Sequence, residues 1–541
     1  MTRSIDGFRN QVFKIRCDPA GGRGRHYAAK AKDMWVAGYS NLRKKLTKNF
    51  PCSKIFPCLY VGILFLYGFV GYNSFGYDDE FFNIELIEQH GLNAISILQG
   101  TDIHPPGSYL ANWALFSLFG NWSLVRLAVG LFSASVLIYT IDSVRSTYGV
   151  SSGWKACFFL GLNPAFLLWC TGLRWYAFFA PVLAWVSITP RTFGARYWAK
   201  CFCGLVVLGY FGYTVFIIAL PVLILYWINS PNPATNKIKN ILIYGSIASL
   251  AYLPQLIIFF TVHFQNIGTP FSSLRRSLVG FVVVQLSNPG VFPLSFGGII
   301  SAVGALGIIF VSLLFSPSAQ LRTNGYFVSY WISSGLMILT GFAALFHPLV
   351  TISPLQGLSF STIQVDKSKE KIFTVFCTFL AIGNLIGIFN VANHHDTTKN
   401  TWNLPIRATL DELEASRTSC NQDLVVLAHD PTLVYFLKKK GFIVLSPYRA
   451  TPDERILQET HQCVVVLKTY AGSIDDRKFT DMYSELQNLH FDSKSKHSLG
   501  FDRYFKWKKM LDSRYPESQI EISSFKKVHN LYELKSWQCC F

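Results

Sequence analysis

Apolar residues fall along this chain in long runs broken by short polar turns, and those turns carry most of the charge. The runs lie near 56 to 72, 122 to 142, 156 to 172, 175 to 190, 201 to 212, 214 to 230, 240 to 262, 296 to 316, 325 to 346, 351 to 365 and 372 to 391. Several approach the roughly 20 residues that a helix rising about 1.5 Å per residue needs to cross a hydrocarbon core of about 30 Å. The pattern predicts about eleven spanning helices, although 201 to 230 could equally form one long tilted helix and 351 to 365 is short. Two stretches read differently. Residues 84 to 99 interleave Ile84, Leu86, Ile87, Leu92, Ile95 and Leu98 with Glu85, Glu88, Gln89 and His90, the pattern of a helix lying along a membrane surface. His104-Pro105-Pro106 then restarts a helix of about 106 to 119, too short for a span, because Pro is pre-set for a first helical turn.

Past residue 392 the long runs stop. Asp423 to His429, Gly441 to Leu445 and Cys463 to Leu467 read as short strands, with a helix at about 431 to 439 between the first two. The expected fold class is therefore an α-helical multi-pass membrane protein with a small C-terminal soluble α/β domain. Its expected divisions are a basic tail (1–53), a transmembrane domain (54–392) whose first outer loop is 74–121, and a soluble domain (393–541).

Charge orients these helices. The chain has 541 residues, half of them hydrophobic, and a formal net charge of +18, a composition too apolar for an ordinary soluble enzyme. Twelve Lys and Arg against three Asp in the first 50 residues, without the pattern of a removable signal peptide, read as a cytoplasmic tail. With that tail inside, the inner loops carry Arg145 and Lys155, then Arg191, Arg196 and Lys200, then Lys237 and Lys239, Arg322, and Lys367, Lys369 and Lys371. Every inner loop is basic, as the positive-inside rule asks. The C-terminal domain then lies on the periplasmic, extracellular or lumenal side, where Cys420 and Cys463 could pair. The twelve cysteines show no metal-ligand spacing, no divalent metal is supported, and no glycine-rich phosphate cradle is visible. Membrane lipids are expected around the chain, and nucleic acid is not expected as a partner.

The candidate chemistry lies in the first outer loop. Residues 74 to 121 hold six acidic residues and no Lys or Arg, beginning Tyr77-Asp78-Asp79-Glu80-Phe81-Phe82. A carboxylate at the mouth of an apolar cavity suits a general base that takes a proton from an attacking hydroxyl, and neighbouring acids would raise its pKa. Three solvated acids at a helix start are the plain alternative.

Together, Tyr77-Asp-Asp-Glu-Phe-Phe, His104-Pro-Pro-Gly-Ser-Tyr and Phe119-Gly-Asn-Trp-Ser-Leu-Val-Arg126-Leu resemble the signature of GT-C glycosyltransferases of the protein O-mannosyltransferase and aminoarabinose-transferase type. The resemblance covers about residues 54 to 230. It implies a sugar donor on polyprenyl or dolichyl phosphate and inverting transfer to a hydroxyl acceptor on the outer or lumenal face; the residues themselves single out no cofactor beyond that donor, and a divalent metal stays open without support. Asp79 aligns with the family's catalytic Asp, with Asp78 as the fallback and Glu80 as an orienting group. A leaving lipid phosphate needs cations at the membrane surface. His104, Arg126, Arg174 and the pair Arg275-Arg276 are the candidates, and Arg174-Trp175-Tyr176 resembles the family's Arg-x-Tyr. Snorkelling to headgroups is the alternative for each arginine. Phe346-His347-Pro348 stands where the family shows an Arg-Tyr before a Pro, a departure that argues against either specific activity. A transporter or flippase is the competing class, but the spans hold almost no Asp or Glu at mid-membrane.

Overall fold

The computed structural model describes residues 55–73, 78–101, 104–189, 195–263, 281, 296–316, 324–340, 346–363, 369–392, 406–419, 424–428, 431–445, 463–469, 491–500 and 519–527. Met1–Tyr60 and Val61–Phe541 are two compact units. Of the first, only the helical residues 55–60 are described, with the Phe56 and Tyr60 rings 5.8 Å apart.

Helix α1 (Ile55–Asn73) leads to α2 (Asp78–His90), a 3-10 turn, α3 (Ala94–Thr101) and α4 (Gly107–Phe119). The helix expected over 84 to 99 is thus divided by the turn at Gly91–Asn93, and the helix expected over 106 to 119 is α4. Gly120 closes α4 in the left-handed region at φ 63°, and the Asn121 side chain caps α5 (Trp122–Tyr148) by accepting from the Ser123 and Leu124 amides.

Helices α6 (Val150–Ala156) and α7 (Pro164–Trp169) replace the single span expected at 156 to 172. Between them runs a π turn over Cys157–Gly161, in which the Leu162 amide bonds back to the Cys157 carbonyl. That shift takes the helical donor away from the Phe158 carbonyl, which accepts instead from Asn384 Nδ2 at 2.8 Å. Asn163 Nδ2 likewise donates to the Phe159 carbonyl, and its Oδ1 caps the Pro-initiated α7. Asn384→Leu should strand the half-buried Phe158 carbonyl at a cost of about 1–3 kcal/mol, read as a lower Tm of the detergent-solubilised protein.

The following helices are α8 (Trp175–Ser187), α9 (Ala195–Phe211), α10 (Val215–Asn229), α11 (Ala234–Ile258), α12 (Phe296–Phe315), α13 (Gly325–Leu339), α14 (Phe346–Thr362) and α15 (Glu370–Ala392). The break between α9 and α10 at 212–214 decides for two helices rather than one. Helix α13 stops at Leu339 instead of 346, and α14 begins at Phe346, so the short run at 351 is the end of a longer helix. Among the described residues, four helices are long and apolar enough to cross a membrane: Ile55–Asn73, Trp122–Tyr148, Ala234–Thr261 and Glu370–Phe389.

One end of the bundle gathers the loops expected to be basic. Lys155 Nζ donates to the Ile363 carbonyl at 2.9 Å, Asn324 Nδ2 bonds Thr362 Oγ1 at 3.0 Å, and the Tyr148 and Tyr326 rings lie 6.5 Å apart. Lys200 and Lys237 cap the C-terminal ends of α8 and α10 through the Ile188 and Trp227 carbonyls, each ammonium also resting over a Trp ring. A cation at a helix C-terminus is favoured by the helix dipole, and an aromatic face adds to it.

The C-terminal region adds α16 (Ile406–Ser419), β1 (Leu424–Ala428), α17 (Pro431–Lys439), β2 (Ile443–Leu445), β3 (Cys463–Thr469), β4 (Phe491–Gly500) and β5 (Gln519–Lys527). The strands form one sheet in the order β2-β1-β3-β5-β4, parallel among β1, β2 and β3 and antiparallel at β5 and β4. The first three strands and α17 match the sequence reading. Strand β4 was not anticipated because its run Asp-Ser-Lys-Ser-Lys-His-Ser has no apolar alternation, and a lysine-bearing strand is the kind an exposed sheet edge tolerates. Cys463 is disulfide-bonded, while Cys420 lies outside the described residues.

Candidate functional site

The end of the bundle away from the basic loops brings three distant segments together. Glu80, in the first turn of α2, is fully buried. Its Oε2 accepts from Arg126 Nε at 3.3 Å and Nη2 at 3.0 Å, and its Oε1 accepts from the Leu173 amide at 2.8 Å. Arg126 is 4 % exposed, one turn into α5, with its guanidinium 5.8 Å over the Phe81 ring. Its place follows from close helix packing: a Cβ on Gly71 of α1 would sit 2.6 Å from the Arg126 carbonyl.

The turn leading into α8 is gripped on both sides of one residue. The Leu173 amide goes to Glu80, and the Leu173 carbonyl accepts from Asn112 Nδ2 of α4. Gly172 is required beside it, because a Cβ there would lie 2.5 Å from Glu80 Oε1. This turn carries Arg174, which is buried at the N-cap of α8, followed by the buried Tyr176. His104 is half-buried, with its ring 5.6 Å from that of Trp175. Of the residues expected at the site, Glu80, Arg126 and the Arg174 turn are therefore joined directly, and His104 stands beside that turn. Asp78 and Asp79 open α2, immediately before Glu80, and their side chains lie outside the description. Arg275 and Arg276 lie outside the described residues, as do the side chains of His347 and Pro348.

The sequence reading missed the group that docks α17 onto α2. The Phe81 ring lies 4.9 Å from Tyr435 and 5.4 Å from Phe436. Glu88 Oε1 accepts from Trp122 Nε1 at 2.8 Å, the Tyr435 hydroxyl at 3.1 Å and Lys439 Nζ at 3.2 Å, while Lys438 pairs with Glu85 at 2.6 Å. Burial raises the Tyr435 pKa, so its hydroxyl stays protonated and donates. Burial works against the Lys439 charge, but the Tyr435 hydroxyl and the Glu88 carboxylate outweigh it and the pKa rises. A raised lysine contributes its stability below the ordinary lysine value and loses it only as pH climbs through the raised one, so this contact holds its lysine charge through neutrality. Glu88→Ala should leave three donors without their acceptor. The expected result is faster hydrogen exchange over 431–439, with opening easier by about 1–3 kcal/mol.

A buried acid paired with a buried arginine thus stands at one end of the helical bundle, beside the helix that docks from the C-terminal α/β region. The chain is similar to the crystal structure of ArnT from Cupriavidus metallidurans in the apo state, at a TM-score of 0.52 and 13% identity over 87% of this chain and 98% of that one. The structure of the same protein bound to undecaprenyl phosphate gives 0.48 and 12% identity over 86% and 97%. The first likeness establishes the fold. No protein-family model and no curated protein matches the sequence.

Proposed function

We propose that the chain is a membrane glycosyltransferase that moves a sugar from a polyprenyl- or dolichyl-phosphate donor to a hydroxyl of a lipid, glycan or protein, on the outer or lumenal face and with inversion. The observation that carries this reading is the junction of Glu80, Arg126 and Leu173. It ties the acidic opening of α2 to the start of α5 and to the turn before α8, so the separate pieces of the motif set meet at one end of the bundle. The fold shared with ArnT supports the same reading.

In this reaction the acceptor oxygen bonds to the anomeric carbon while the bond from that carbon to the lipid-phosphate oxygen breaks. Asp79 takes the acceptor proton, with Asp78 as the alternative base, and Glu80 holds the frame. His104, Arg126, Arg174, Tyr176, Arg275 and Arg276 are the groups from which the leaving phosphate would draw its hydrogen bonds and counter-charge. The disulfide at Cys463 favours an oxidising compartment for the C-terminal region, and thus a cytoplasmic N-terminus.

The test is transfer by the purified, reconstituted protein from a panel of radiolabelled polyprenyl-phosphate sugars. Labelled acceptor together with free polyprenyl phosphate is the expected result. Binding of the lipids with no transfer, accompanied by their movement across the bilayer, would replace this reading with a flippase.

A further inference from the structure

A cleft of about 390 Å³ opens where α17 meets the end of α1 and the start of α5. Its walls include Phe81, Trp122, Tyr435 and Phe436, and among its described lining residues two are cations, Arg126 and Lys439. No carboxylate is among its described lining residues. Each cation has a carboxylate behind it, Glu80 for Arg126 and Glu88 for Lys439, and neither of these lines the cleft. Among the described residues Glu80 is the hydrogen-bond partner of the guanidinium, through Nε and Nη2, and Arg126 lines the cleft. Lys439 keeps N–H donors beyond the one given to Glu88, and about half of its side chain is exposed. A guanidinium and an ammonium lining one cleft, with no acid among its described lining residues, suit an anion that accepts several charge-assisted hydrogen bonds, as a phosphate does.

The rim indicates what the phosphate is attached to. Tyr72 lines the cleft, and one turn below it on α1 Phe69 is exposed, with Phe65 beyond. On the other side Gly120 lines the cleft, next to the exposed Leu118 and Phe119 at the end of α4. In a chain that crosses a membrane these side chains face hydrocarbon, so the cleft stands directly above an apolar strip. A soluble phosphate ester would make no use of that strip.

We infer that the cleft binds the phosphate group of a membrane amphiphile between Arg126 and Lys439, with the apolar chain running down past Phe69 and Phe119. The C-terminal region thereby completes a lipid-phosphate site that the helical bundle alone supplies only in half. The inference rests on the reading of a lipid-phosphate substrate and adds Lys439 to its recognition.

The test measures binding, apart from transfer, by native mass spectrometry of the full chain in phosphatidylcholine nanodiscs, with undecaprenyl phosphate, undecaprenol and inorganic phosphate as probes. Undecaprenyl phosphate should bind at least about tenfold more tightly than undecaprenol, and Lys439→Glu should lower its affinity by about tenfold or more. Lys439→Gln should fall between, and Lys438→Ala, which breaks the neighbouring ion pair without touching the cleft, should bind as the native chain does. That control separates loss of the cation from undocking of α17. Equal binding of undecaprenol, unchanged binding by Lys439→Glu, or tighter binding of inorganic phosphate than of undecaprenyl phosphate would overturn the inference. Phosphate binding without any sugar transfer would leave it standing and remove the transferase reading instead.

Discussion

Asp79→Asn is expected to lower sugar transfer by about a hundredfold to ten-thousandfold, the range that a positioned general base contributes. The substitution keeps the side chain's size and removes only its ability to accept the acceptor's proton. Folding should be untouched, since Asp79 opens a helix whose anchoring comes from Glu80 and Phe81. Affinity for the lipid donor should also persist, because the cations that would meet the phosphate lie on other elements. The expected signature is therefore a fall in kcat with little change in KM, measured beside Asp78→Asn, which should retain most activity. A loss confined to Asp78→Asn would move the base by one residue. Full activity in both would remove the acid-base reading of this loop.

Much of the bundle is legible in the sequence, because a membrane span is written locally in its length and apolarity. Helix α5 is one such case, and the basic loops bearing Lys155 and Lys371 mark a shared end because charge cannot stay in the hydrocarbon. What the pattern cannot carry is the point where a helix yields to a partner distant in sequence. The run at 156 to 172 reads as one span, yet it breaks because Asn384, more than 200 residues later, satisfies the carbonyl that the π turn frees. The site divides in the same way. The acids at 78 to 80, Arg126 and the Arg174 turn each stand out from the sequence as residues at one end of the bundle. Their pairing does not, since a contact between residues 46 apart leaves no local periodicity. The sequence offers Arg126 donor phosphate or lipid headgroups as partners, and the structure pairs it with Glu80. The signal for the α17 contact lies in the sequence: Leu433, Val434 and Leu437 supply the face that packs on the sheet, so Tyr435 requires a second surface, and Phe436 packs against both.

Glu80→Ala should be the most destabilising single change at this end of the molecule. It leaves the Arg126 guanidinium, 4 % exposed, without a counter-charge, and it orphans the Leu173 amide in the same step. Removing one partner of a buried ion pair costs about 3–5 kcal/mol, most of it the penalty of the charge left behind. The stranded amide adds about 1–3 kcal/mol where no water reaches it. Glu80→Gln should cost less, because its carbonyl oxygen can still accept from Leu173 while the charge is lost. The ordering native, Gln, Ala in thermal unfolding of the solubilised protein is thus the expected result. Removing both charges separates the stability of the pair from its use. Glu80→Met with Arg126→Met should regain much of the stability lost in Glu80→Ala, since a well-packed apolar pair can replace a buried ionic one. That double variant should still fail to transfer sugar, because the Leu173 amide has lost its acceptor and the Arg174 turn its hold on α2. A double variant as active as the native chain would show that the pair serves folding alone.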